Sequence, residues 1–253
     1  MKQSTALSVI SENKTILLPH AIKLEKNFTR VKNRAQEIGM KVNSTKTQLL
    51  CVSGNHSCTV KAYIRTDDEE IVSGDELKIL GFWFGPKPNV NVHVEKMLAK
   101  FRARLWSLRH LKRAGMSSAD LLLVFVTVLR PVLDFAAPVY HPLLTVCQTK
   151  DIELLQKKAM KIIYGPEISY QESLAVSNLT SLEERREVLT QNFAIAAEKN
   201  PRYTDGWFPK KPTQPYQIRR PRPYLETKSK TERMRKNPLN YMRKVLNLSL
   251  IHI

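Results

Sequence analysis

The 253 residues predict an α+β chain that is mostly α. Apolar residues recur at helical spacing over long stretches, through Ile22, Leu24, Phe28, Val31, Ala35 and Ile38 and again through Val94, Met97, Leu98, Phe101, Leu105, Leu108 and Leu111. Short β-prone runs, 47–52, 59–64 and 77–84, fall between those two stretches. A hydrophobic share of 42% supplies enough apolar material for a core, which excludes wholesale disorder.

Taken in order, the first helix is expected over about 19–38, with Gly39 as its stop. Asn43 is suited to hold a tight connection through its side chain, and Lys46 and Thr47 head the strand that follows. A Ser-Gly-Asn-His-Ser turn leads into the return strand 59–64, and 66–76 reads as an acidic, exposed link. The run LKILGFWF, 77–84, reads as a buried strand with Gly81 allowing close backbone approach. Gly85-Pro86-Lys87-Pro88 then marks a boundary. Helices are expected over 92–113, over 119–129 with a serine cap at 117 or 118 and an end before Pro131, over 151–163 up to Gly165, and over 181–198 with the capping-box spacing Ser181…Glu184. Beyond Pro201 prolines and charges multiply, so 201–253 is expected to be an irregular, flexible, basic tail.

The charge balance narrows function. There are 41 Lys plus Arg against 23 Asp plus Glu, a net +18, and the stretch from Arg202 to Lys244 holds 13 basic residues against 3 acidic. Such a surplus repels itself unless an anionic partner shares the surface, and nucleic acid is the first candidate. On the 92–113 helix Lys96, Lys100 and Arg104 recur every fourth residue, and Arg109, Lys112 and Arg113 crowd its end. That stripe suits a sugar-phosphate backbone. Trp83 and Phe84 fit either backbone contact or core, whereas Trp106 and Phe125 are expected in the core. In the tail, cations interleave with Tyr216 and Tyr224, a composition suited to single strands or RNA.

Other chemistries find little support. Three cysteines make no disulfide framework, and Cys51-x4-His56-x-Cys58 offers three metal ligands without a fourth. The longest apolar run, 121–129, is far short of a bilayer span, and the start of the chain has no signal-peptide pattern. No membrane association and no small-molecule ligand are expected, and the location is expected to be intracellular.

In their order, these pieces resemble the C-terminal half of a reverse transcriptase from a non-LTR (LINE-type) retrotransposon. GMKVNSTKTQLL resembles the end of the palm, with Gly39, Asn43, Lys46 and Thr47 at the places of a Gly-x-x-x-Asn-x-x-Lys-Thr segment. LKILGFWF resembles the palm-to-thumb hairpin, or primer grip, through Leu80, Gly81, Phe82 and Trp83. The helices from Val92 to Gly165 resemble the thumb, with Arg130-Pro131-x-Leu133 and Leu155-Gln156-x-Lys158. Leu182-Glu-Glu-Arg-Arg186, Asn237-Pro-Leu-Asn-Tyr-Met242 and Leu246-Asn247 resemble the C-terminal extension. Leu248 to Ile253 break the pattern and match one reading frame of a transposase-type sequencing adapter, so they are set aside.

The resemblance implies a palm remnant at 1–85, one helix with a small antiparallel sheet, a helical thumb at 86–200 and the basic tail. It implies RNA-directed DNA synthesis by ancestry, with Lys46 assisting departure of pyrophosphate. It also implies partners among RNA–DNA hybrid, DNA duplex and RNA, and a ribonucleoprotein in nucleus or cytoplasm. The intact family enzyme uses Mg2+ held by aspartates on an early palm strand and on a hairpin just before the first helix. Here no acid precedes Glu12, and the one Asp-Asp pair, Asp67-Asp68, follows the lysine segment on a hydrophilic link. No cofactor is therefore expected in this chain, and it is expected not to polymerise by itself. The alternative is a non-catalytic basic protein that binds nucleic acid or another partner.

Overall fold

The computed structural model describes residues 14–43, 46–52, 63–65, 70–87, 89–211 and 223–249. The architecture is α+β and mostly α, and the chain divides into two compact units, Met1–His93 and Val94–Ile253.

In the first unit, α1 spans Lys14–Glu37, beginning before the expected start so that Pro19 lies inside it. Its end is as expected. Gly39 takes φ +76°, and the Met40 amide reaches back to the Ala35 carbonyl at 2.8 Å, a closure that a left-handed residue makes possible. A three-stranded sheet follows in the order β1 (Leu49–Leu50), β3 (Glu70–Gly74), β2 (Tyr63–Arg65). β3 is antiparallel to β2, pairing Ile64 with Ile71, but parallel to β1, pairing Leu49 with Ser73. The expectation of an exposed acidic link over 66–76 is therefore corrected. Its second half is the central strand, because Ile71 is an apolar anchor buried among the acids.

LKILGFWF is likewise not one strand. β4 (Leu77–Ile79) and β5 (Phe82–Phe84) form an antiparallel hairpin with Leu80 and Gly81 as its two-residue turn. Both turn residues have positive φ, +49° and +91°, the handedness that matches the twist of paired strands.

The second unit is helical. The helix α2 (Asn91–Arg113) lays Val94, Met97, Leu98, Phe101, Leu105 and Leu108 into the core. Next, α3 (Ser118–Val124) is capped by the Ser117 side chain, which accepts from the Asp120 amide. The rod does not stop before Pro131 as expected. It widens into a π turn over Phe125–Leu129 and continues as α4 (Arg130–Asp134). A wider turn accommodates a residue that has no amide hydrogen to give. The short α5 (Ala137–Tyr140) and a 3-10 turn (His141–Leu143) lead to α6 (Val146–Tyr164). Then come α7 (Tyr170–Ser177), which no apolar stripe announced, and α8 (Leu182–Glu198), whose capping box joins Ser181 and Glu184 as expected.

Downstream of residue 200 the irregular tail is also corrected. The described parts hold α9 (Pro201–Trp207), α10 (Glu232–Arg235) and α11 (Pro238–Ser249). They close a second core of Ala194, Ala197, Phe208, Tyr224, Met242 and Leu246. Polar side chains on α11 clamp the extended segment that crosses it. The Asn247 amide accepts from the Tyr224 amide at 3.0 Å and donates to its carbonyl at 3.1 Å, as a neighbouring strand would. Asn240 accepts from the Thr227 amide, and Arg243 donates to the Trp207 carbonyl at 2.7 Å. Tyr224 is therefore a core residue whose hydroxyl donates to Glu198, not a stacking platform; Tyr216 lies outside the described residues.

Polar contacts join the motif segments of the helical unit. Arg185 donates to Asp134 at 3.0 Å, joining the Leu-Glu-Glu-Arg-Arg segment to the one that begins at Arg130. Gln156 is buried and donates to the Thr180 carbonyl and the Tyr170 hydroxyl. Tyr170 in turn donates to Glu153, whose other oxygen accepts from the Leu182 amide at 3.0 Å. Among the described residues no single helix is long and apolar enough to cross a membrane.

Candidate nucleic-acid interface

The helical period of α2 decides which cations face outward. With Phe101, Leu105 and Leu108 facing inward, the opposite side carries Lys96 and Lys100 along one edge and Arg102, Arg109 and Arg113 along the other, all exposed. Small Ala99 and Ala103 lie between the edges. At the centre stands Trp106, 62% exposed, with the His110 ring 3.8 Å away at a 55° tilt. Trp106 is thus corrected from core to surface, whereas Phe125 is fully buried as expected. Helical phase, rather than side-chain size, would have placed Trp106 correctly.

Two members of the expected stripe donate to backbone carbonyls of neighbouring elements. Arg104 is half-buried and donates to the Val128 carbonyl in the π turn. Lys112 donates to the Ile163 carbonyl at 2.9 Å, where Ser118 also donates at 3.0 Å. It is a cation at the C-terminal end of α6, a place the helix dipole favours. Arg102, not singled out in the sequence, joins the outer face. The exposed cations of α2 are therefore Lys96, Lys100, Arg102, Arg109 and Arg113, with Lys112 exposed as well but donating to the Ile163 carbonyl.

The hairpin of the first unit presents different chemistry. Leu80 is 95% exposed at the tip, and the Lys78 ammonium lies 5.2 Å from the centre of the Trp83 ring. Beneath them Phe82 is buried and stacks on the His93 imidazole at 3.9 Å and 13°. The Trp83 amide donates to His93 Nδ1 at 3.4 Å, which requires that nitrogen to be unprotonated. Burial accordingly pulls the His93 pKa down to about 4. Trp83 is half-buried and Phe84 more exposed.

At the opening segment Asn43 does what its side chain suggested. Its Oδ1 accepts from the Lys46 amide at 3.2 Å and its carbonyl accepts from the Thr47 hydroxyl at 2.9 Å. This turn leaves the Lys46 side chain in solvent. Asp67, Asp68, His56 and Cys58 lie outside the described residues, and among the described residues no cluster of His, Cys, Asp and Glu is placed to hold a metal.

Against protein-family models, curated proteins and solved structures, the chain gives no match.

Proposed function

We propose that this chain is a fragment of the RNA-directed DNA polymerase of a non-LTR retrotransposon. It retains parts that hold template and primer and does not include the metal-binding aspartates. The observation that carries the reading is the outer face of α2, five exposed cations around an exposed tryptophan on a helix whose other side is core. The order of motifs along the sequence, which resembles that family, supports the assignment. Lysines and arginines on such a face fix the position of a sugar-phosphate backbone without reading its sequence. The flat indole can lie against sugars in a shallow groove. The hairpin with Leu80 at its tip fits primer contact, and exposed Lys46 fits assistance to a leaving pyrophosphate in an intact enzyme.

The test is binding of an RNA–DNA hybrid across a salt series. With Lys96, Lys100, Arg109 and Arg113 all changed to alanine, affinity should fall. The slope of log affinity against log salt should become shallower by about 3, since each lost phosphate contact removes nearly one released counterion. Arg104→Ala should leave that slope alone, because Arg104 is engaged with Val128. A quadruple variant with the parent slope rejects the interface.

A further inference from the structure

A second aromatic surface lies at the junction of α8 and α9. Tyr203 and Trp207, four residues apart on α9, stack with ring centres 4.5 Å apart and planes 25° from parallel. Phe193 of α8 stands 6.5 Å from Trp207. Tyr203 is 36% exposed and Phe193 42% exposed, so the cluster opens to solvent.

Its underside is fixed. Phe208, directly after Trp207, is fully buried in the second core, and Arg243 holds the Trp207 carbonyl. Thr204 Oγ1 donates to the Glu198 and Asn200 carbonyls, tying α9 to the end of α8. The rings are therefore held in place before any ligand arrives, which lowers the ordering cost of binding.

Cations outnumber acids around it, four against Glu198 and Asp205 over 198–211. Lys199 and Arg202 flank the start of α9, and Lys210 and Lys211 follow its end; all four are exposed. None of the four takes part in an ion pair among the described residues. The nearby Glu198 carboxylate already accepts from the Tyr224 hydroxyl at 2.7 Å.

We infer that the Phe193–Tyr203–Trp207 cluster is a stacking platform for single-stranded nucleic acid, with Lys199, Arg202, Lys210 and Lys211 holding its phosphates. A duplex hides its base faces within its own stack, whereas a single strand offers them to rings set among cations. The platform rests on the reading that the chain handles nucleic acid, but it is built on α8 and α9 and shares no residue with the duplex face of α2. One protein could thereby hold a hybrid and the unpaired strand that leads into it.

The experiment compares the whole chain with Tyr203→Ala and with the gentler Trp207→Leu, each on two probes. One probe is a uridine-rich RNA of about ten nucleotides, the other a blunt RNA–DNA hybrid. Single-strand affinity should fall about tenfold in each variant, in line with the loss of one stacked base, while hybrid affinity stays level. In the parent chain, photocrosslinking of 5-iodouridine RNA should map to Tyr203 or Trp207, a readout that survives any misfolding of the variants. Unchanged single-strand binding, with crosslinks elsewhere, overturns the platform and leaves the duplex reading intact. A parent chain that binds neither probe overturns both. Loss of self-association in Tyr203→Ala with no change in RNA binding would assign the cluster to protein contact and overturn it too.

Discussion

Arg186 sets the terms at the residue scale. It is 1% exposed, and none of its three guanidinium nitrogens has a hydrogen-bond partner among the described residues. Burial pulls its pKa down, opposed by Tyr140 and then by Glu153, Glu183 and Asp134. A buried cation without hydrogen bonds forfeits its hydration for little return. Arg186→Met should therefore match or exceed the parent in denaturant stability, by up to about 4 kcal/mol, whereas Arg186→Ala should lose stability through the cavity it leaves. A methionine variant as damaged as the alanine one would mean that the guanidinium has partners. His141 sits nearby, its pKa pulled to about 4 by burial and then by Arg186, with the Tyr241 hydroxyl 3.5 Å from its Nε2. His93 is lowered to the same value by burial alone. Unfolded histidine binds its proton near pH 6.5, so between there and pH 4 the unfolded chain holds more protons than the folded one. Stability present at neutral pH should then drain as pH falls through that window, by at most roughly 3 kcal/mol per histidine. Urea midpoints measured across the window should fall less steeply in His141→Gln, and an identical profile would contradict the buried neutral ring.

Among elements, the β4–β5 hairpin stores strain where it is most exposed. Leucine is a poor residue for φ +49°, and Leu80 gains no burial in exchange. Leu80→Asn creates the Asn-Gly pair that this turn type prefers and should stabilise the first unit by about 0.5–1 kcal/mol. Leu80→Val should do the reverse, and amide exchange at Ile79 and Phe82 would report both. If the tip touches a primer, the asparagine variant should also bind hybrid more weakly despite its greater stability. Elements of this kind show what a sequence discloses. The Gly39 stop, the Ser117 cap and the Ser181–Glu184 box were legible because each is satisfied within a few residues of itself. The short α7 escaped notice although Ser169 and Glu172 carried the same box, because no apolar stripe drew attention to it. β3 escaped because a strand buried by one isoleucine is disguised by flanking acids. The last three helices escaped for a deeper reason. Asn240, Arg243 and Asn247 satisfy backbone groups at Thr227, Trp207 and Tyr224, 13, 36 and 23 residues away, and polar residues at such separations leave no periodic trace. On α2 the cationic stripe was legible, but its membership was not. Losing Arg104 and Lys112 depended on where the Val128 and Ile163 carbonyls would lie.

For the molecule as a whole, a net charge of +18 opposes compaction, and a polyanion that binds the folded form should relieve it. Hybrid or heparin should raise the melting temperature at low salt, and the gain should fade as salt screens it. A merely solvated basic surface predicts the opposite order, with salt alone stabilising and the polyanion adding nothing beyond it. Catalysis divides the possibilities differently. In-line phosphoryl transfer needs carboxylates that hold two metal ions a few ångströms apart, and the acids of this sequence do not fall in the order the resembled family uses. Purified with Mg2+, a primed template and all four deoxynucleotides, the chain should leave the primer unextended while still retarding it in a gel. Both halves of that result are required. Extension by even a few nucleotides would mean that the acids fold into a metal site from an unforeseen order. Failure to retard the hybrid would leave the cations of α2 as plain solvated surface and remove the ground for placing this chain among polymerases.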